Sequence, residues 1–272
     1  MKYSINKNFA LITGATGLLG PFHAESLAEI GYNIILLDLK IKKLKVLEQR
    51  LKRKFKKTKI LYYKCDISSN KEIDNLNTYF TKKKIYIDCL INNADINPKM
   101  NPKNKTISSR IETYSVEKLE KELSVGIIGT FNCCKYFGSE MAKRKKGIIV
   151  NVSSDLGIIA PDQRIYDKSE NINKIKNFKP IGYSISKHGM HGITKYLATY
   201  WGHKNVRCNT LVLGSVLNNQ PSYLINNIKK RVPLNRMANK LEYKKAIQFL
   251  ASKENSYMTG QTLVVDGGRT IW

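Results

Sequence analysis

Phe9-Ala10-Leu11-Ile12-Thr13-Gly14-Ala15-Thr16-Gly17-Leu18-Leu19-Gly20 joins a short apolar run directly to three glycines spaced three apart. Phe9–Thr13 predicts a strand buried on both faces, because apolar residues run through it without polar alternation. Glycine at 14, 17 and 20 allows a tight turn and lets backbone N–H groups approach an anion closely. Beyond the turn, Leu19, Phe22, Leu27 and Ile30 recur at helical spacing, and Gly31 predicts the C-terminal cap. Strand, glycine turn and helix in that order aim the positive end of a helix at the turn, an arrangement that suits a pyrophosphate. A purely structural turn could carry the same glycines. Asp38 separates the two readings. It ends a second strand, Asn33–Asp38, where a carboxylate accepts from both adenosine ribose hydroxyls and repels a 2′-phosphate. The cofactor expected is therefore NAD, with NADP disfavoured.

Further apolar runs at Ile60–Lys64, Ile85–Asn92, Gly147–Ser153, Val206–Val212 and Thr262–Val265 predict five more strands, with helices in the gaps between them. Alternation of buried strands with helices predicts an α/β fold: a Rossmann-type, doubly wound parallel sheet of about seven strands, with helices on both faces. The chain of 272 residues shows no internal repeat and no linker, so residues 1–272 are expected to form a single domain.

With 42% hydrophobic residues and dispersed Gly and Pro, the composition excludes collagen-like and disordered classes. The net charge of +26, from 47 Lys and Arg against 21 Asp and Glu, invites a nucleic-acid or membrane reading. The placement of the charges argues against both. Ile41, Leu44, Leu47, Leu51 and Phe55 recur at spacings of three and four inside the lysine-rich stretch Lys40–Lys57, which predicts an amphipathic helix with a solvated basic face. Lys82–Lys84 and Lys143–Lys146 precede predicted strands, so they fall at the amino ends of the sheet, away from where open α/β sheets bind ligands. No partner nucleic acid or membrane is expected. No apolar run approaches the length of a bilayer span, and Met1–Ala10 lacks the apolar core of a secretory leader. The five cysteines, Cys65, Cys89, Cys133, Cys134 and Cys208, have no metal-ligand spacing. They predict reduced thiols in a cytoplasmic protein without a metal site.

Tyr183 and Lys187 stand at i, i+4, which on a helix puts both on one face. An ammonium beside a phenol favours the phenolate, and such a phenol can serve as general acid or base. Alongside this pair stand the glycine turn, Asn92-Asn93-Ala94, Asn151-Val152-Ser153-Ser154 and Asp266-Gly267-Gly268. Together, in this order and spacing, they resemble the short-chain dehydrogenase/reductase family over essentially the whole chain.

The resemblance implies that Tyr183 exchanges a proton with the substrate oxygen and that Ser154 hydrogen-bonds that oxygen. Ser154 is preferred to Ser153 because Ser154-Asp155-Leu156-Gly157 fits the family's Ser-x-x-Gly. Lys187 would bind the nicotinamide ribose and lower the Tyr183 pKa. The implied cofactor contacts are Gly14, Thr16, Gly17, Leu18, Leu19 and Gly20 of the turn, then Asp38. They continue with Asp66 and Ile67 beside the adenine, Asn92 and Ala94, Tyr183 and Lys187, and Gly214 and Val216 of Leu213-Gly214-Ser215-Val216. Departures from the family pattern are the Gly-x-x-Gly-x-x-Gly spacing, Asp95 in place of glycine, Leu213 in place of proline, and Gly126. At Gly126 the family commonly places an asparagine that links the active-site lysine to water. The missing side chain is expected to leave room for a water in that role.

Ser154 and Tyr183 are separated by a polar insertion at about 158–182, wider than the family usually has. Attached between two catalytic residues, it predicts a polar small-molecule substrate, a carbohydrate or nucleotide sugar, with Asp155, Gln163, Arg164 and Arg236 as candidate contacts. The insertion and the ending Gly267-Gly268-Arg269-Thr270-Ile271-Trp272 look most like members from bacterial surface-sugar and flagellin-modification clusters. The expected function is an NAD(H)-dependent oxidoreductase interconverting a secondary alcohol and a ketone, working as a homotetramer or homodimer. The rival expectations are a cofactor-binding regulator impaired at Gly126 and Leu213, and a basic nucleic-acid-binding protein.

Overall fold

A computed structural model describes residues 8–97, 109–168 and 177–272. Seven parallel strands form one sheet in the order β3-β2-β1-β4-β5-β6-β7. They are β1 (Phe9–Thr13), β2 (Asn33–Asp38), β3 (Ile60–Lys64), β4 (Ile87–Asn92), β5 (Gly147–Ser154), β6 (Val206–Leu213) and β7 (Thr262–Val265). The expected doubly wound architecture is present. From β1 the chain winds outward to β3, then returns to the other side of β1 at β4. That reversal makes the carboxyl edge between β1 and β4 the crevice where ligands bind in open α/β sheets.

Three strand boundaries differ from expectation. β4 starts at Ile87 rather than Ile85, because the Ile85 N–H closes the end of helix α3 (Asn70–Lys82) onto Phe80 O at 2.9 Å, with Lys84 in the left-handed region at φ 53°. β5 and β6 each run one residue further, since Ser154 pairs with Leu213 in the sheet register.

Along β1 and β2, successive residues feed opposite faces. Ala10, Ile12, Ile34 and Leu36 join a core with helices α1 (Gly20–Glu29), α2 (Ile41–Lys54) and α9 (Lys244–Ala251). Phe9, Leu11, Ile35 and Leu37 join the core on the other face, with α3 and the helices that follow β4. Those helices are α4 (Val116–Leu123), α5 (Gly129–Cys133) and α6 (Ser139–Lys143), joined end to end by π-helical turns at Ser124–Ile128 and Cys134–Gly138. Helix α7 (Ile181–Trp201) then packs on β5 and β6, and the short α8 (Ser222–Lys229) follows β6.

α1 ends as expected: Gly31 takes φ 90°, and Tyr32 N–H reaches Leu27 O at 3.0 Å. Ile30, expected on its apolar face, is exposed, because the helix stops at Glu29 and the chain turns away. α2 buries Leu44, Leu47 and Leu51 and turns its lysines outward, where Glu25 of α1 receives Arg50 at 2.9 Å and Lys54 at 2.7 Å. The basic run before β5 is anchored to Asp88, which Arg144 meets at 2.6 Å. All five cysteines are free and buried. Among the described residues no helix is long and apolar enough to cross a membrane, and no cluster of His, Cys, Asp or Glu could hold a metal.

The insertion leaves the sheet through a 3-10 turn at Asp155–Gly157 and closes at Pro180, two residues earlier than expected, because α7 takes Ile181 and Gly182. Its 169–176 part lies outside the described residues. The part that precedes it is less polar in effect than its composition: Ile165 and Tyr166 are buried with Ile228, Val232 and Met237, which fastens the insertion to α8.

Candidate active site

The glycine turn occupies the reversal between β1 and β4. Gly14 has φ 60°, and a Cβ there would lie 2.8 Å from Ala94 Cα. A Cβ at Gly20 would lie 2.5 Å from Gly14 O, so no side chain fits at either position. Gly17 and Leu18 are exposed at the mouth of the turn, whereas Leu19 turns its side chain into the core. Asn93 fixes the turn to the end of β4: its Nδ2 donates to Thr13 O at 3.0 Å and Gly14 O at 3.1 Å. Thr13 Oγ1 accepts from the N–H groups of Asn93 and Ala94, both at 3.0 Å. Thr13 and Asn93 stand in the motifs quoted above, yet neither is among the expected site residues.

Asp38 lies beside the turn. Its carboxylate accepts from Thr16 N at 2.9 Å and Lys40 N at 3.1 Å. A bare glycine cradle at a helix N-terminus with a carboxylate next to it fits a dinucleotide with free ribose hydroxyls. Asp66 caps its own loop, accepting from Ser68 N and Oγ. Ile67 packs its side chain against Gly129 rather than toward the crevice. Asn92 requires a correction. Its side chain is not at the crevice but inside the sheet layer, with Nδ2 donating to Asn151 Oδ1 at 2.8 Å, and Asn151 in turn bonding Thr194. Buried amides need such partners, and this one belongs to the scaffold. Gly214 packs on the Asp266 backbone, and Val216 bridges to Ala238.

Ser154, Tyr183 and Lys187 come together at the carboxyl end of β5. Gly157 is what permits it: a Cβ there would sit 2.7 Å from Lys187 O and 2.3 Å from Ser153 Oγ, so the turn after β5 lies directly on α7. Ser153 donates to Lys187 O at 2.8 Å and thereby locks strand to helix. Ser154, the next residue, is the serine whose hydroxyl acts on the Tyr183 phenol. Lys187 is buried. Its Nζ donates to Val152 O at 2.9 Å, pairs with Asp95 Oδ2 at 2.9 Å, and lies 5.6 Å from the Tyr183 ring centre.

The electrostatics differ from expectation. Burial raises the Tyr183 phenol above its ordinary range, and the carboxylates of Asp95 and Asp155 add to the rise, while the Ser154 hydrogen bond opposes it. Lys187, whose ammonium Asp95 meets at 2.9 Å, does not bring the phenol below its ordinary range. A second ammonium, Lys179, stands 3.9 Å from the ring centre and donates to Asn97 Oδ1 at 2.6 Å. Burial, with repulsion from Lys187, lowers Lys179 to about 8. No motif flagged it. The room expected for a water beside Gly126 is also filled: a Cβ there would lie 2.0 Å from Ser186 Oγ and 2.8 Å from Asp95 Oδ1.

Of the candidate substrate contacts, Asp155 is buried against Ser154 and pairs with Arg269 at 2.9 Å. Gln163 accepts from Lys179 N at 2.7 Å. Arg164 is bound to Asp162, which Arg231 also meets at 2.6 Å, and Arg236 is bound to Glu242. Arg269 was not foreseen, although a buried carboxylate at 155 calls for a cation.

Residues 18–270 match the family model described as enoyl-(acyl carrier protein) reductase. The chain is 30% identical over 267 residues to an uncharacterised short-chain type dehydrogenase/reductase of Sinorhizobium fredii, covering 95% of this chain and 43% of that longer one. It is 27% identical to post-translational flagellin modification protein A of Campylobacter coli, over 97% of this chain and 98% of the other. Among solved structures it resembles a short-chain dehydrogenase of Leptospira borgpetersenii with bound NAD+ (TM-score 0.82, 28% identity, 97% and 93% of the two chains). It also shares its fold with a gluconate 5-dehydrogenase of Burkholderia cenocepacia in complex with NADP and tartrate (TM-score 0.84, 23% identity, 98% and 96%).

Proposed function

Because the chain belongs to the short-chain dehydrogenase/reductase family and is an oxidoreductase of CH–OH groups, we propose that it uses NAD(H) to interconvert a secondary alcohol and a ketone on a hydroxyl-rich substrate, a carbohydrate or nucleotide sugar. One observation carries the reading. The loop 93–95 touches the glycine cradle through Asn93 and Ala94, and the catalytic lysine through Asp95, so cofactor cradle and proton-transfer set share one rigid connection.

When bound, the nicotinamide supplies the hydride exchange. The chain's residues supply the rest. Tyr183, raised by its surroundings, holds a proton ready for a carbonyl oxygen in reduction, and must lose it for oxidation. Ser154 would give a hydroxyl to the same oxygen, and Lys187 would give its remaining N–H to the ribose. NAD preference rests on Asp38, where a 2′-phosphate would meet a carboxylate. The polar substrate is supported by Lys179 and Asp155 beside Tyr183, with Gln163 holding Lys179. An oligomer is supported by the exposed side chains Ile185, Tyr196 and Tyr200 along α7, and by Trp272, whose ring is exposed and held through one bond to Arg231 O at 3.3 Å.

The test is to follow reduced-nicotinamide absorbance with NAD over a panel of sugars, polyols, nucleotide sugars, steroids and acyl thioesters. Turnover of a hydroxyl-rich compound is expected. Turnover of steroids or thioesters alone overturns the substrate class.

A further inference from the structure

Asp95, Gly126 and Ser186 sit on three separate elements yet occupy one volume. Asp95 follows β4, Gly126 lies in the π-helical turn Ser124–Ile128, and Ser186 precedes Lys187 on α7. Asp95 Oδ1 accepts from Ile96 N at 2.8 Å, and Oδ2 accepts from Ser186 Oγ at 3.2 Å. The same Oδ2 meets Lys187 Nζ at 2.9 Å, both side chains being 6% exposed. The Asp95 carboxylate is thus oriented on one side by backbone and hydroxyl, and it presents one oxygen to the ammonium.

A buried ammonium is costly without a counter-charge. Asp95 is the carboxylate within ion-pair distance of Lys187 among the described residues. With Val152 O it engages two of the three N–H directions and leaves one for the reacting side. The space it fills is the space a side chain at 126 would need. The departures at Asp95 and Gly126 are therefore one rearrangement, which Ser186 completes, and in it the lysine is tethered by a carboxylate from the β4 loop rather than from the helix carrying residue 126.

We propose that Asp95 is a positioning residue for the reaction: it holds the Lys187 ammonium in place beside Tyr183, and its own negative charge tunes the phenol. The proposal rests on the oxidoreductase reading above. Two experiments separate its failure from the failure of that reading.

The first needs no turnover. Thermal unfolding midpoints of the apo protein are compared for Asp95→Asn, Lys187→Met and the double variant. A single interlocked pair predicts that the double variant falls little further than the worse single one, whereas additive losses overturn the pairing. The second uses whichever substrate the panel yields. Asp95→Asn is expected to lower kcat about tenfold with substrate KM nearly unchanged. It should also move the rising limb of the oxidation rate about half a pH unit or more to the acid side, since a negative charge near the phenol is gone. Gly126→Asn alone should lose activity, and Asp95→Gly/Gly126→Asn/Ser186→Ala should recover part of it. An Asp95→Asn enzyme with the wild-type pH profile overturns the proposal, whatever its kcat.

Discussion

Ser154 Oγ donates to Asp155 Oδ1 at 2.6 Å, so the hydroxyl proposed to meet the substrate oxygen is held by its own neighbour. Asp155 is in turn paired with Arg269, 4% exposed, and burial raises its carboxyl against the opposing pull of Ser154 and Arg269. Removing Asp155 leaves a buried guanidinium without its partner. Asp155→Ala should therefore lose about 3–5 kcal/mol of stability in urea unfolding, and Asp155→Asn, which keeps an acceptor for Ser154, should lose less. Equal losses would show that the Ser154 bond contributes nothing.

Tyr183→Phe removes the transferable proton and leaves the ring that Lys179 and Lys187 flank. Turnover should drop about 10²- to 10⁴-fold, while NAD binding, followed by quenching of protein fluorescence, changes little. Appreciable residual activity would sink the role given to the phenol.

Asp38→Ser removes the charge that would face a 2′-phosphate but keeps a short polar side chain near Thr16 N and Lys40 N. The wild type should gain more thermal stability from NAD than from NADP. The variant should shift the ratio of the two affinities at least about tenfold toward NADP, the equivalent of about 1.4 kcal/mol.

His23, 1% exposed on α1 under the glycine turn, is lowered to about 4 by burial against an unfolded value of 6.5. The unfolded chain therefore binds the extra proton first as pH falls, so stability is complete above about 6.5 and is lost on descending to about 4. The loss amounts to about 3 kcal/mol over that window. Unfolding midpoints against pH should lose much of this slope in His23→Leu, and an unchanged slope would assign the acid sensitivity elsewhere.

Local pattern carried the fold far. Phe9–Thr13 and Asn33–Asp38 are strands within the bounds their apolar runs suggest, because strands buried on both faces must be apolar throughout. The α2 lysines were readable as a solvated face for the same reason, through Leu44, Leu47 and Leu51. What could not be read were contacts between distant segments. Asp95 with Lys187 and Asp155 with Arg269 join residues that no spacing rule connects, and they decide the charge around Tyr183. The π-helical turns were equally hidden: Ser124–Ile128 and Cys134–Gly138 carry no signal apart from ordinary helix. Asn92 shows the converse, a motif residue whose side chain serves the interior.

The insertion departs from the turn at Gly157 and rejoins the fold at Pro180, where α7 begins. Gly157 is pressed against α7, and Lys187 O is tied to Ser153. Divergence in the insertion that spares Gln163 and Lys179 can therefore proceed without disturbing the reacting set. Loops of different length could be grafted there, and a lineage could change its diet of substrates while inheriting the same chemistry unchanged.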